Sequence, residues 1–233
     1  MKLRFASYNI HKAVGIDRRR DPERIMTVLR EIDADVIALQ EADERFGERA
    51  SVLPRTLIDD YPWRVVPVAK RPRSIGWHGN ALLVRRDMEI VESHALELPT
   101  LEPRGAICGT IRADGVAFHA IGTHLDLSGL RRRDQVRSLL EFTEARCSEQ
   151  PTIIMGDFNQ WGRSTGAMRE FSGGWQLLTP GRSYPSRAPV AVLDRIAVCG
   201  RWRCVGTGVH RSALATRASD HLPIYADLKM LKL

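Results

Sequence analysis

The stretch Thr152-Ile153-Ile154-Met155-Gly156-Asp157-Phe158-Asn159 decides how this chain is read. Its apolar run is too short for a helix, is rich in β-branched residues and closes on Gly and polar residues, the pattern of a buried strand. A strand ending in Asp-Phe-Asn brings a carboxylate and an amide to the end of a sheet, where α/β enzymes gather sites from sequence-distant residues. The same arrangement recurs along the chain. Ser7-Tyr8-Asn9-Ile10-His11 closes a first apolar strand, Gln40-Glu41 follows Val36–Leu39, and Thr123-His124-Leu125-Asp126 follows a long strand. Leu193-Asp194-Arg195-Ile196 and Ser219-Asp220-His221 complete the series. Taken singly, each is an ordinary turn former or solvated side chain. Together, in this order, they point to one shared site.

Around these landmarks the chain reads mostly as strands. They are expected at Leu3–Ile10, Asp35–Leu39, Trp63–Ala69, Asn80–Arg85, Met88–His94, Ala106–Ala113, Val116–His124, Thr152–Asp157, Leu193–Cys199, Arg203–Val209 and Ile224–Leu228. Two helices stand out. Asp21-Pro22-Glu23 supplies an N-cap, a proline at the first helical position and an acid in the first turn, ahead of Ile25, Val28, Leu29 and Ile32 at helical spacing. Leu130–Cys147 is the other, with Val136, Leu139, Leu140 and Phe142 near one face. Hairpin turns are expected at Arg86-Asp87, at Asp114-Gly115 and at Gly200-Arg201. So many strands with so few helices exceed a simple doubly wound sheet. They predict an α/β four-layer sandwich, two packed mixed sheets with helices on the outer faces, in a single domain over residues 1–233.

Composition narrows the class. The 233 residues carry 35 Lys+Arg against 28 Asp+Glu, a formal charge of +7, and 43% are hydrophobic, enough for a large core. The excess of positive charge favours anionic partners without choosing among phosphates, nucleic acid and acidic lipid. No apolar run has the length of a signal peptide or a membrane span, so a cytoplasmic protein without an integral membrane segment is expected. Cys108, Cys147, Cys199 and Cys204 form no CxxC pair and no disulfide framework. Reduced, mostly buried thiols are expected of them, and a zinc site built from these cysteines is not expected.

The ordered set Tyr8-Asn9-Ile10, Gln40-Glu41, Gly79-Asn80-Ala81-Leu82-Leu83, Pro103-Arg104-Gly105-Ala106, Thr123-His124-Leu125, Gly156-Asp157-Phe158-Asn159, Leu193-Asp194-Arg195-Ile196 and Ser219-Asp220-His221 resembles the endonuclease/exonuclease/phosphatase superfamily. The resemblance runs from residue 5 to about residue 228. It implies the DNase I-like fold and a metal-dependent phosphoesterase, with chemistry that matches these residue types. A phosphodiester repels hydroxide, so its hydrolysis needs charge neutralisation, an activated water and a stabilised leaving oxygen. A hard divalent cation serves the first and third needs and takes oxygen ligands. Glu41 is the natural carboxylate, with the Asn9 amide oxygen and Asp220 beside it, and the resemblance implies Mg²⁺ or Mn²⁺ there.

Histidine is best suited to activating water near neutral pH, and His221 is the candidate, with Asp194 implied as the partner that fixes its tautomer. Asp157 is expected to orient or deprotonate the water, and the principal base is left between these two. Asn159 and His124 are donors suited to the non-bridging phosphate oxygens. Asn80 is expected either at the phosphate or in a structural role, and Arg104 at the substrate anion or a carboxylate. His11 and His78 lie near the motifs and are further candidates for contact with the substrate phosphate, against the alternative of loop or packing residues. Lys12 and Asp17, with Arg18–Arg20, form a polar loop that could line the cleft.

Thr123-His124-Leu125 resembles the sphingomyelinase, deadenylase and DNase I branches more than the abasic-site endonucleases. The expected substrate is an anionic phosphoester, with nucleic acid and phospholipid-type diesters both open. A phosphomonoesterase and an inactive phosphate-binding protein are the alternatives. Trp77, Trp161 and Trp175 could stack on a base, meet lipid or pack locally.

Overall fold

Along the first strand, Leu3 and Phe5 join one buried apolar cluster while Ala6, Tyr8 and Ile10 join another. A strand buried on both faces must lie inside a layered molecule. The computed structural model describes residues 1–44, 47–100, 104–147, 150–162 and 165–231, so Pro103 of the quoted motifs lies outside the described residues.

In chain order the first half runs β1 (Lys2–Asn9), α1 (Pro22–Ile32), β2 (Val36–Gln40), α2 (Arg55–Asp59), β3 (Trp63–Val65), β4 (Ala81–Arg85), β5 (Glu89–Glu97) and β6 (Gly105–Ala113). The second half runs β7 (Val116–His124), α3 (Gly129–Cys147), β8 (Thr152–Asp157), β9 (Trp175–Leu178), β10 (Asp194–Cys199), β11 (Trp202–Val209), α4 (Ala213–Ala218) and β12 (Ile224–Met230). Two six-stranded sheets result, ordered β11-β12-β1-β2-β4-β3 and β5-β6-β7-β8-β10-β9.

Each sheet holds one parallel pair at its centre, β1 with β2 and β7 with β8, and its other pairs are antiparallel. Parallel neighbours need a crossover, and α1 and α3 supply it. Asp21 caps α1 by accepting from Arg24 N at 3.0 Å, with Pro22 at the first helical position, as the sequence predicts. Between the sheets pack Phe5, Val36, Ala38, Ile107, Phe118, Ile153 and Met155. Outside the first sheet Tyr8, Ile37 and Leu39 meet Ile25, Val28, Leu29 and Ala215 of α1 and α4. Outside the second sheet Cys108, Ile121 and Ile154 meet Val136 and Leu139 of α3. The four-layer sandwich is the observed architecture, and no described helix is long and apolar enough to cross a membrane.

Asp114 and Gly115, with φ of 48° and 74°, close the β6–β7 hairpin between paired Ala113 and Val116. The other two expected hairpins are corrected. Arg86-Asp87 and Gly200-Arg201 each carry the chain from one sheet to the other. Both flanks of β4 are taken by β2 and β3, and both flanks of β10 by β8 and β9, so neither can accept the next strand. The Trp63–Ala69 strand shrinks to Trp63–Val65, ahead of Pro67, and the short β9, α2 and α4 carry too little periodicity to be read.

Candidate active site

The two parallel pairs explain where the polar residues gather. β1 lies against β8 and β2 against β7, so the carboxyl ends of all four strands open on one edge of the sandwich. These ends carry Asn9, Glu41, His124 and Asp157. Loops leaving such ends are free to turn polar side chains toward one another.

Asp157 is the hub. Its Oδ2 accepts from Asn9 Nδ2 at 3.1 Å and lies 3.4 Å from His124 Nε2 and 3.7 Å from His221 Nε2. Its Oδ1 accepts from the Asn159 backbone N at 2.9 Å. The carboxylate is 1% exposed, so every neighbour acts on it through little solvent. Asp194, directly opposite Asp157 in the β8–β10 register, takes His221 Nδ1 at 2.9 Å and the Ser183 hydroxyl on the same Oδ2. His221 is thus held between two buried carboxylates. Asp157, Asp194 and His221 place one potential ligand atom each within 4.8 Å of one another.

The two histidines are driven in opposite directions. Burial lowers the pKa of His221, but the charges of Asp194 and Asp157, the Asp194 hydrogen bond and Asp220 together outweigh it and raise the value to about 10. Burial also lowers His124, and there the nearby Arg104 and His221 cations join it against Asp157 and Glu41, leaving about 4. At neutral pH the site therefore holds one imidazolium and one neutral imidazole.

Glu41 adopts the left-handed region, φ 55°, and its Oε2 accepts from Lys12 Nζ. Burial raises the Glu41 carboxyl, yet His124, Lys12 and His11 together bring it below the usual range. His11 and Lys12 are themselves left-handed, with φ of 45° and 56°, in a turn tied back by His11 Nδ1 to Val14 O at 2.9 Å. Non-glycine residues in this region are uncommon, and held strain of this kind clusters at functional sites. Asp220 is partly exposed, 3.9 Å from His11 Nδ1. Among the described residues Asn9 Oδ1 accepts only the His11 N–H, at 3.1 Å, which leaves it a second lone pair. The carboxylates of Glu41 and Asp220 and the Asn9 amide oxygen are donors of the oxygen type that Mg²⁺ or Mn²⁺ takes, and the Lys12 ammonium stands as a positive charge on Glu41.

The remaining expected residues divide. Asn159, at φ 51°, gives its amide Nδ2 to Leu125 O at 2.8 Å and so ties the loop after β8 to the loop after β7. Arg104 acts on His124 through its charge and forms no ion pair among the described residues. Asn80 bridges two backbone segments. It is 1% exposed and spends Nδ2 on Gly105 O at 3.0 Å and Trp77 O at 3.3 Å, holding two loops together. His78 is not brought to the Asp157 cluster; its Nδ1 meets Arg49 Nη1 at 3.0 Å. Asp17 pairs with Arg24 rather than lining the cleft. Trp161 stands exposed beside Asn159, whereas Trp175 packs on Phe171, and Trp77 lies under Lys70.

Ser183 and Tyr184 were not anticipated. Ser183 donates to Asp194, and the Tyr184 ring lies 4.8 Å from that of His221. Their loop carries no spacing signal, and only the fold sets it beside Asp194.

The chain matches the model of the Endonuclease/Exonuclease/phosphatase family over residues 6–221. It is 28% identical over 243 residues to the uncharacterized protein YbhP of Escherichia coli (strain K12), covering 95% of this chain and 94% of that protein. Among solved structures, an endonuclease/exonuclease/phosphatase from Bacteroides vulgatus matches with a TM-score of 0.77 at 17% identity, covering 99% of this chain and 100% of the other. TDP2 of D. rerio in complex with a single-strand DNA product matches with a TM-score of 0.76 at 15% identity, covering 98% and 99%. With its two-sheet sandwich and the family match spanning all but the chain's ends, this protein belongs to the endonuclease/exonuclease/phosphatase family.

Proposed function

We propose that the protein is a divalent-metal-dependent phosphodiesterase that cleaves its ester by in-line attack of water. The observation that carries this reading is the buried Asp157 carboxylate, set between Asn9, His124 and His221. Glu41, Asn9 and Asp220 would hold Mg²⁺ or Mn²⁺, whose Lewis acidity neutralises phosphate charge and steadies the leaving oxygen.

The chain's own groups divide the rest of the chemistry. The raised pKa of His221 favours Asp157 as the base, because an imidazolium has no lone pair on Nε2 with which to take a proton. Asp157 orients the attacking water and accepts its proton as the new P–O bond forms and the ester P–O bond breaks. Positively charged His221, fixed by Asp194 and Ser183, offers Nε2–H to a non-bridging oxygen as its charge grows. His124, neutral, offers a second donor, and Arg104 adds positive charge behind it. Asn159 holds the loop that keeps Asp157 in place.

Nucleic acid is the first substrate class to test, since the TDP2 neighbour holds single-strand DNA and Trp161, two residues after Asn159, presents an exposed ring. The test is hydrolysis of bis(p-nitrophenyl) phosphate, single-stranded DNA and a phospholipid diester, each with Mg²⁺ or Mn²⁺ and with chelator. Metal-dependent cleavage of a diester that vanishes in folded Asp157→Asn supports the reading. Cleavage of p-nitrophenyl phosphate alone would make the protein a phosphomonoesterase. No turnover of any ester, with the fold intact, would leave a phosphate-binding protein.

A further inference from the structure

We propose that Cys108, His119 and Cys147 form a second metal site, for one thiophilic cation of the Zn²⁺ class, at the end of the second sheet away from Asp157. Cys108 lies on β6, His119 on β7, and Cys147 is the last residue of α3 where that helix comes down on the sheet. The two Sγ atoms and one His119 ring nitrogen all lie within 4.8 Å of one another, and all three residues are buried. A tetrahedral site with Zn–S near 2.3 Å and Zn–N near 2.0–2.1 Å sets its ligand atoms roughly 3.5–3.8 Å apart. The trio reaches that spacing by closing roughly 1.3 Å at most.

Three details suit a soft cation. Thr110 Oγ1 lies 3.1 Å from His119 Nδ1, an outer contact of the kind that orients a ligating imidazole. Cys108 and Cys147 lie within thiol hydrogen-bond reach of one another, and His119 stands beside Cys147. A buried thiolate beside an imidazole is stabilised by a cation that binds both. The trio leaves the fourth position of a tetrahedral site to a non-protein ligand, since His94, opposite Cys108 in the β5–β6 register, has its Nε2 3.0 Å from Glu92 Oε1. The site is separate from the oxygen donors of Glu41 and Asp220. His119 and His124 are five residues apart on β7, about 17 Å along an extended strand.

The test is titration of the reduced full-length protein with Co²⁺ under oxygen-free conditions, read by absorption. Cobalt bound by thiolates shows strong sulfur-to-metal charge-transfer bands that cobalt on oxygen ligands lacks. Wild type is expected to develop these bands to one equivalent, lose them on adding Zn²⁺, and keep them in Glu41→Gln and in Cys204→Ser. Cys108→Ser and Cys147→Ser should each abolish most of the charge-transfer intensity. Absence of the bands in reduced, folded wild type would overturn the site, and needs no variant to fold. Bands that survive in both Cys108→Ser and Cys147→Ser would overturn it equally.

Discussion

The second sheet carries different chemistry at its two ends, and strand β7 spans both. At its carboxyl end His124 joins Asp157, Asp194 and His221; nearer its start His119 joins Cys108 and Cys147. The first end is assembled from loops and strand termini, and several of its residues (His11, Lys12, Glu41, Asn159) hold left-handed backbone. The second draws two of its three donors from regular strand positions, where register alone fixes them. Parallel strands release their chains at the carboxyl end, so loops there can turn oxygen and imidazole groups toward one point. Donors within strands cannot be re-aimed, which suits a fixed set of soft ligands better than a reacting centre.

The contrast is broken most severely at Asp157. Asp157→Asn keeps the shape and removes the proposed proton acceptor, so kcat should fall about 10²–10⁴-fold while affinity for Mg²⁺ or Mn²⁺ is retained. Steady-state kinetics with metal titration would check this, and near-normal turnover would move the base elsewhere. Next is His124→Ala, which removes a donor at the phosphate and should cost roughly 10²–10³ in kcat by comparison with oxyanion-hole donors. A change confined to KM would instead make His124 a ground-state contact.

The two histidines also give opposite pH signatures in stability. The folded pKa of His221, about 10, exceeds the ordinary 6.5, so the native state holds the extra proton between those values. Its contribution is complete below pH 6.5 and is lost as pH rises toward 10. The folded pKa of His124, about 4, lies below 6.5, so the unfolded chain binds the extra proton and stability falls as pH drops from 6.5 toward 4. Urea unfolding across pH should show the alkaline slope flattened in His221→Asn and the acid slope flattened in His124→Asn. Unchanged slopes would mean that neither imidazole is perturbed as described. The smallest effect is expected at Lys12→Met, which frees Glu41 of its ammonium partner and should tighten Mg²⁺ or Mn²⁺ by less than about tenfold. Calorimetry would measure it, and weaker binding would show that Lys12 supports the cation.

Much of the candidate active site was legible because each residue closes an apolar strand. Asn9, Glu41, His124 and Asp157 follow runs whose burial is evident from composition, and Asp114-Gly115 announces its hairpin. The sheet-to-sheet passages at Arg86-Asp87 and Gly200-Arg201 were hidden, because a turn's residues do not reveal whether the preceding strand already has two neighbours. Ser183 was hidden for a related reason, since its place beside Asp194 depends on a loop without periodicity. The thiol cluster was the least legible part. Its donors come from two strands and a helix end, so no local spacing exists to be read, and the expectation of mostly buried thiols holds for Cys108 and Cys147 but not for the half-buried Cys199 and Cys204.

The most direct measurement is the pH–rate profile of diester hydrolysis with saturating Mn²⁺, in wild type and in Asp157→Asn. With Asp157 as base and His221 held as imidazolium, wild-type activity should stay level from pH 6 to 8, and Asp157→Asn should be slow throughout. A wild-type rate rising about tenfold per pH unit through that interval, with Asp157→Asn retaining most activity, would contradict it and make His221 the base.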